Sequence, residues 1–460
     1  MLRKFIGDRA FYKRVLTVAV PIIIQNGITN FVSLLDNIMV GQVGTLPMSG
    51  VSIVNQLIFV FNLCIFGASS GAGIFTAQFH GSRDTEGVRH TFRFKVIICG
   101  ILALLAGCLF AGCGKNLILL YLTGEGEAAD AAQVLSFGWE YLLVMLWGLL
   151  PFALCNAYAS TLKECGETVV PMVAGVAAVA VNLVLNYVFI FGHFGAPAMG
   201  VRGAALATVI SRYVELALVA GWTHRNHGKH PFIQGAYRSL AIPDPLLRNI
   251  IITGMPLLAN ELLWSLGVAA MNQCYSTCGL NVVPAMNISS TLGNLAGVVY
   301  QSLGVSVGIL MGQMLGAGHS EEALRDTNRK LIAFSVASGT CFGVLMALGS
   351  GAFPAIYNTT REVRLLAQDL ILISALAMPF QSFANATYFT LRSGGKTFIT
   401  FLFDSVFMWV CSVTLAFSLS RFTSLSILPL FALCQLPEAL KCVLGFAMLK
   451  KGSWIQTLGD

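Results

Sequence analysis

The stretch that decides the fold is residues 21–44, PIIIQNGITNFVSLLDNIMVGQVG. Residues 256–279, PLLANELLWSLGVAAMNQCYSTCG, repeat its pattern at a constant offset of 235. The register continues without a gap to residues 81 and 316, and proline, glycine and glutamine coincide along it. The matched pairs include Pro21 with Pro256, Gly44 with Gly279, Gly73 with Gly308, Gln78 with Gln313, and Gly81 with Gly316. In an apolar chain, such a long-period duplication predicts a membrane protein of two similar lobes.

The composition indicates that lipid surrounds most of the chain. Of its 460 residues, 56% are apolar and 11% are charged, and the mean hydropathy is +0.75, whereas soluble domains carry charge on about a quarter of their residues. Apolar stretches of about twenty residues suit helices, whose backbone amides bond within their own segment. We therefore predict an all-α membrane protein with twelve spans. Their predicted limits are 15–40, 51–79, 96–114, 133–156, 169–192, 203–222, 250–277, 284–314, 331–356, 365–390, 398–420 and 427–449.

The repeat predicts two bundles of six helices. It extends past the second span with small shifts, so that Asn156 falls on Asn385 at an offset of 229. Because six is even, the bundles share one in–out orientation, and a pseudo-two-fold axis is expected along the membrane normal. Small residues at every fourth position of the second span in each half, ending at Gly81 and Gly316, predict close helix packing. The predicted domains are an N-terminal lobe, 1–222, a cytoplasmic linker, 223–249, and a C-terminal lobe with a short tail, 250–460.

The distribution of positive charge predicts the orientation. Lys and Arg concentrate at the N-terminus, in every second loop and in the C-terminal tail, while the intervening loops carry few. Positive residues in short loops resist translocation, so we expect a multi-pass protein of the inner (plasma) membrane with both termini cytoplasmic. The net charge of +7 is spread over separate loops without interleaved aromatics, so no nucleic-acid partner is expected. We expect a monomer in the bilayer, and we expect the linker histidines in a solvated loop rather than around a metal.

A polar stripe in the first span ends in an acid. Asn26, Thr29, Asn30, Ser33 and Asp36 step by threes and fours and so share one helix face. A carboxylate inside a bilayer is costly, and for that reason it usually faces protein or water and often belongs to an ion path. The alternative is an acid that only packs, by a hydrogen bond, against a neighbouring helix.

Two amides on the fifth span lie on one face as well. Asn182 and Asn186 are four residues apart among Val, Leu and Phe. They either satisfy each other or supply carbonyl oxygens to a cation, because hard cations prefer oxygen ligands.

The second lobe has its own acid, Glu261, beside Asn260 and one turn before Trp264. Its repeat partner is Asn26, so the two lobes carry their acids at different depths, which suggests separate roles. A carboxylate near Trp264 and Tyr300 suits a lipophilic cation through charge neutralisation and cation–π contact. The alternative is an acid in a solvated cavity that binds nothing.

Other charged residues in the spans are interpreted as structural. Arg212 with Glu215, and Glu438 with Lys441, are opposite charges three residues apart near the end of each lobe, a spacing typical of pairs that anchor a helix end. Asp404 on the eleventh span has no predicted partner, and its role stays open.

Enzyme signatures are missing from the sequence. The string GKT at 395–397 resembles the end of a phosphate loop, but Thr390 replaces the required glycine. There is no HExxH, no GxSxG and no His/Cys metal quartet. We expect a transporter driven by an ion gradient, with no cofactor, rather than an enzyme.

The residues resemble the multidrug and toxic compound extrusion (MATE) transporters across essentially the whole chain. The strongest match is NLVLNYVFIFGHFGAPAMGVRGAALATVIS, residues 182–211, supported by LRSGGKT at 391–397 and KKGSW at 450–454. The resemblance implies two six-helix bundles in a V that alternate between inward and outward openings. It also implies export of amphiphilic, mostly cationic organic compounds in exchange for H⁺ or Na⁺.

The resemblance further implies a cation site in the first lobe. Asp36 would be its carboxylate, surrounded by Asn182, Asn186 and Thr208, and Na⁺ would lie at the first three. The archaeal DinF-like branch of the family places an aspartate where this chain has Asn186, so the chain is closer to the NorM-like, general bacterial type.

NorM-like members place a glutamate at the position of Trp264 and an aspartate at that of Gln381, so Glu261 is a displaced substitute. The predicted substrate-binding residues are Asn26, Asn260, Glu261, Trp264, Tyr300 and Gln381. Two alternatives stay open: a lipid-linked oligosaccharide flippase of the related MurJ-like type, and an uncoupled channel or binding protein.

Overall fold

The structure, a computed structural model, describes residues 4–122, 128–279 and 281–458. Within these residues, twelve helices are long and apolar enough to cross a membrane, which confirms the predicted number of spans. They are α1 (Arg9–Gly41), α2 (Thr45–Gly81), α3 (Thr85–Leu122), α4 (Ala128–Glu164), α5 (Val169–Phe191), α6 (Val201–Arg225), α7 (Asp244–Ser276), α8 (Val282–Gly316), α9 (Glu321–Leu348), α10 (Arg361–Ser393), α11 (Thr397–Phe422) and α12 (Ile427–Lys451).

The repeat is visible in the backbone as well as in the sequence. Gly44 follows α1 with φ of 146°, and its repeat partner Gly279 follows α7 with φ of 147°. Residues with a side chain rarely adopt this region, so glycine is needed for the tight turn into the next helix. The first two helices of each half are therefore joined in the same way.

Two helices of the second half are irregular. The middle of α11 is π-helical over Leu402–Val406 and Met408–Val413. The last span, α12, consists of Ile427–Leu433 and Leu436–Lys451, separated by a turn. A π-helical turn widens the helix and redirects the side chains on it, and such turns often occur at functional sites.

The chain folds into two compact units. Unit 1 contains Met1–Ile23, Ala77–Arg83 and Ile252–Asp460, and unit 2 contains Ile24–Thr76 and Asp84–Ile251. The unit boundaries thus fall within α1 and α2 as well as near the start of α7. The predicted lobes, 1–222 and 250–460, stay a prediction.

The core of unit 2 lies among α2, α3, α4 and α6. Ile65, Leu142 and Ala205, each fully buried, belong to its largest apolar cluster. At one end of this core the buried Lys95 is paired with Glu164, and its Nζ also lies 3.3 Å from Thr161 Oγ1. A buried ammonium is tolerated because it is both paired and hydrogen-bonded.

In unit 1 the glycines of α8 allow close packing, as the spacing of small residues predicted. A Cβ atom on Gly308 would lie 3.1 Å from the ring of Phe389 on α10. At its end, α8 crosses the end of α2: a Cβ on Gly316 would overlap the backbone oxygen of Gln78, and one on Gly81 would overlap that of Gln313. Gly81 and Gly316 are equivalent in the repeat, and so are Gln78 and Gln313. Each glycine contacts the glutamine of the other helix, so the crossing of the two helix ends is nearly symmetric.

Candidate functional site

Three helices of unit 2 bring the predicted cation-site residues together. Asn186 Nδ2 on α5 donates to Oδ1 of Asp36 on α1 over 2.7 Å. The same nitrogen lies 3.2 Å from Asn182 Oδ1, and Asn182 Nδ2 lies 3.2 Å from Thr208 Oγ1 on α6. The four side chains form one connected cluster. Their role as cation ligands stays a prediction.

The local structure explains why these side chains converge. Asn182 and Asn186 are one turn apart on α5 and are 6% and 1% exposed. Thr208 is fixed because its hydroxyl also donates to the Ala204 carbonyl one turn earlier, over 3.0 Å. Asp36 is half-buried. The amides therefore form the closed side of the cluster, and the carboxylate lies at its more accessible side.

The Asn182 amide has two hydrogen-bonding orientations. In one, its oxygen lies 3.0 Å from both carboxylate oxygens of Asp36; after a half-turn, its nitrogen donates to both, and its oxygen accepts from Thr208. An ionised carboxylate favours the nitrogen, whereas a proton or a cation between the oxygens favours the oxygen. The preferred orientation therefore depends on whether Asp36 carries a cation.

The second amide supplies a further oxygen. Asn186 Oδ1 is buried and has no hydrogen-bond partner among the described residues. A buried carbonyl oxygen without a donor is costly, and a hard cation beside the carboxylate would satisfy it. The residues present therefore fit Na⁺, and Asp36, Asn182 and Asn186 as its ligands stay a prediction.

The predicted substrate-binding residues are distributed over both units. Asn26 belongs to unit 2. In unit 1, Trp264 on α7 is 41% exposed, while Glu261 on α7, Tyr300 on α8 and Gln381 on α10 are half-buried. Their contact with a substrate stays a prediction.

Asn260, predicted with this set, is engaged inside unit 1. It is 2% exposed, and its Nδ2 donates to Asp404 Oδ2 over 3.0 Å and lies 3.4 Å from the Tyr388 hydroxyl. Its Oδ1 lies 2.7 Å from Ser405 Oγ and accepts from the Ser405 backbone N–H over 3.3 Å. A substrate could reach this amide only by displacing these partners.

The ion pairs differ from those interpreted from the sequence. Lys441 on α12 is paired with Asp404 on α11, with 2.6 Å between Nζ and Oδ1, rather than with Glu438 on its own helix. Among the described residues, no ion pair joins Arg212 to Glu215. The Arg212 guanidinium lies 4.4 Å from the centre of the Phe152 ring instead. The interpretation was wrong about the ion-pair partner of Lys441, because that ammonium reaches a carboxylate on the neighbouring helix α11.

Sequence reasoning thus missed a polar cluster made by Asp404, Lys441 and Ser405 with Asn260. Its only signal was Asp404, an acid inside an apolar span with no partner nearby in sequence. An isolated intramembrane acid calls for a partner on another helix.

The segment after α6 is only partly solvated, since Phe232 and Ile233 are buried while His227 is exposed. Arg93 on α3 donates to the carbonyls of Ala236, Gly235 and Ala241 over 2.8, 3.0 and 3.2 Å. Burial lowers the pKa of His230. Burial also raises the pKa of Tyr237, and the hydrogen bond with the Tyr158 hydroxyl, 2.5 Å away, partly offsets that rise. Nowhere in the described ranges do three His, Cys, Asp or Glu side chains form a metal-binding group.

The family can now be assigned. The sequence profile of the family described as MatE matches residues 21–188 and 256–418, which are the two halves of the internal repeat. The chain belongs to the MATE family. This MATE protein is 24% identical over 421 residues to the probable multidrug resistance protein NorM of Thermotoga maritima, an alignment that covers 90% of this chain and 87% of the relative.

Two further comparisons agree. The probable multidrug resistance protein YoeA of Bacillus subtilis is 25% identical, over 89% of this chain and 87% of that protein. A solved multidrug resistance MATE family transporter of the MOP superfamily, in an outward-facing conformation, matches 98% of this chain and 97% of its own with a TM-score of 0.86 and 19% identity. The chain is therefore a multi-pass membrane protein with the MATE fold.

Proposed function

We propose that this MATE protein is a cation-coupled antiporter of the bacterial inner membrane, with both termini in the cytoplasm. It exports amphiphilic, mostly cationic organic compounds in exchange for H⁺ or Na⁺. The observation that carries the proposal is the cluster of Asp36, Asn182, Asn186 and Thr208, because it combines a lone carboxylate with an unsatisfied buried oxygen.

The cluster links ion binding to helix arrangement. When Asp36 is ionised, amide N–H groups from α5 stabilise its charge. A proton or Na⁺ neutralises the carboxylate and favours the opposite orientation of the Asn182 amide, whose other end contacts Thr208 on α6. Binding therefore changes the contacts among α1, α5 and α6. A cation shifts the balance between two conformations only by its difference in affinity for them, and this rearranged cluster supplies that difference.

A second region suits the cargo. Glu261 and the exposed Trp264 are one turn apart on α7. An acid provides charge neutralisation for an organic cation, and an indole ring adds a cation–π contact of about 0.5–2 kcal/mol. Relatives named as probable multidrug resistance proteins support the export of drug-like compounds.

Efflux from proteoliposomes tests the proposal. Vesicles containing the full chain would be loaded with ethidium, a lipophilic cation, and exposed to a pH gradient or a Na⁺ gradient, one at a time. One gradient should accelerate efflux over vesicles without protein. If neither gradient changes the rate, the protein is not a cation-coupled exporter of this cargo class.

Counterflow separates an antiporter from an uncoupled channel. Unlabelled ethidium on the far side of the membrane should accelerate exchange of labelled ethidium, because a carrier returns faster when loaded. A channel conducts without such stimulation, so its absence would favour the uncoupled alternative.

A further inference from the structure

Unit 1 holds a second buried carboxylate whose two oxygens are both occupied by the protein's own N–H groups. Asp404 Oδ1 accepts from Lys441 Nζ over 2.6 Å, and Asp404 Oδ2 accepts from Asn260 Nδ2 over 3.0 Å. The side chains of Lys441 and Asp404 are 10% and 18% exposed. The ammonium therefore neutralises the acid inside the bundle.

The cluster is held in one orientation. Ser405, next to Asp404 in the π-helical turn of α11, binds the Asn260 oxygen through its backbone N–H and lies 2.7 Å from it through its hydroxyl. The Asn260 nitrogen must therefore face the carboxylate. In contrast to Asn182 in unit 2, this amide is tied to both of its partners and has no second orientation that satisfies them.

The internal repeat shows what is particular to unit 1. At an offset of 235, Asn260 falls on Gln25. When the offset of 229 that relates α4 to α10 is continued into the next helix of each half, Asp404 falls on Gly175. The Gln25 side chain does lie beside Gly175, where an added Cβ would be 2.8 Å from Nε2. The same contact between repeat-equivalent helices thus occurs in both units, but only unit 1 places a carboxylate there.

We propose that the Asp404 cluster is a monovalent-cation site whose permanent occupant is the Lys441 ammonium. Carboxylate, amide and hydroxyl oxygens are the ligands that a small hard cation prefers. The tethered ammonium fills the position that H⁺ or Na⁺ would otherwise take. Unit 1 then exchanges no cation, and the coupling of the proposed antiport, on which this inference rests, passes through Asp36 alone.

An unpaired charge inside the bundle is costly. A carboxylate that loses its partner in an apolar interior must take up a proton or another cation. Replacing Lys441 by Met, which has similar length and no charge, should therefore open the site to solution cations. The other titratable groups around the pair are Glu438 and Cys442 on α12, Glu261 on α7, Tyr300 on α8, and Tyr388 and Arg392 on α10.

Thermal unfolding of the purified full chain in detergent tests the proposal, with Asp36→Asn as the background that removes the unit 2 carboxylate. Tm would be followed over a series of NaCl concentrations at constant ionic strength, balanced by N-methyl-D-glucamine chloride, and over a pH series. A cation that binds the folded state raises Tm with its concentration. We expect no Na⁺ response in D36N, a new response to Na⁺ or to acid in D36N/K441M, and its loss when D404N is added.

Two results would overturn the proposal. One is a Na⁺ or pH response in D36N that D404N removes while Lys441 is present, because unit 1 would then bind a cation despite the ammonium. The other is a D36N/K441M protein that responds like D36N. A Na⁺ response in D36N that survives D404N would instead count against Asp36 as the coupling site, so the two failures are distinguishable.

A second measurement needs no Lys441 variant and decides the question if K441M does not fold. The number of coupling cations moved per ethidium is read from the H⁺ or Na⁺ gradient that just stops net ethidium movement against a known ethidium gradient, with the wild-type protein in proteoliposomes. One cation per cargo agrees with a single exchanging carboxylate. Two cations per cargo would refute the proposal.

Discussion

Asn186 Nδ2 lies 2.7 Å from Oδ1 of Asp36, which joins the fifth helix of the chain to the first. The donor is 1% exposed, and its own oxygen has no partner among the described residues. One side chain thus donates to the acid with its nitrogen, and we propose that its oxygen is a ligand of the coupling cation.

Asn186→Ala should change the response to the coupling ion. The variant removes the Asn186 oxygen, a proposed Na⁺ ligand. At about 1.5–3 kcal/mol for a contact with a charged group, the half-saturating Na⁺ concentration for ethidium efflux should rise by roughly tenfold or more. If H⁺ is the coupling ion, a lower H⁺ concentration should suffice for half-maximal efflux, because the donor that favoured the ionised Asp36 carboxylate is gone. Asn226→Ala, at the end of α6, is the matched control. An Asn186→Ala protein with unchanged ion dependence would contradict the role assigned to this amide.

Thr208→Val and Thr208→Ser should distinguish the effect of the Thr208 hydroxyl on ion binding from the effect of its side-chain volume. The valine variant keeps the volume but leaves the Asn182 amide without its acceptor on α6, a loss of about 1 kcal/mol, or roughly fivefold in ion affinity. The serine variant keeps the hydroxyl and should behave like wild type. Ion titration of efflux measures both. Equal behaviour of the two variants would exclude a part for the hydroxyl.

Gly316→Ala should destabilise unit 1, because its Cβ would overlap the backbone oxygen of Gln78. Overpacking against backbone costs about 1–3 kcal/mol, so Tm in detergent should fall. Gly107→Ala on α3 is the control, since a Cβ there has no neighbour within 4 Å, and its Tm should stay the same or rise. A Gly316→Ala protein as stable as Gly107→Ala would show that the α2 and α8 ends do not approach closely.

Arg93→Lys should loosen the segment after α6. A lysine cannot donate to three carbonyls in the geometry of the guanidinium, and the loss of two hydrogen bonds of about 0.5–1.5 kcal/mol each predicts roughly tenfold faster amide exchange over residues 231–241. Hydrogen–deuterium exchange followed by mass spectrometry checks this, with the exposed Arg238→Lys as control. Similar amide exchange in both variants would show that the hydrogen bonds of Arg93 do not stabilise this segment.

Much of the fold could be predicted from sequence, since apolar length alone determines where a helix can cross a bilayer. The association of Asp36 with Asn182 and Asn186 could be anticipated in part. The fourfold spacing puts the two amides on one face, but which helix faces them depended on the resemblance to the MATE family.

The pairing of Lys441 with Asp404 could not be read from spacing. The two residues are 37 positions apart on different helices, and Asp404 lies in a π-helical turn that no apolar pattern reveals. Glu438 is an acid three residues from Lys441, but the ion pair of Lys441 is with Asp404 on another helix. The spacing of charges along one helix does not predict this ion pair. A buried charge pairs with an opposite charge on whichever helix packs against it, and tertiary packing determines which helix that is.

The central claim is that a cation at Asp36 drives export, and gradient-driven ethidium efflux from proteoliposomes containing Asp36→Asn tests it most directly. The amide keeps the size of the side chain but cannot carry the charge that a proton or Na⁺ neutralises. Glu140→Gln, which removes a half-exposed acid paired with Arg202 over 3.2 Å, is the matched control. We predict that the gradient accelerates efflux in wild type and Glu140→Gln but not in Asp36→Asn. Acceleration of Asp36→Asn to the wild-type rate would contradict the account.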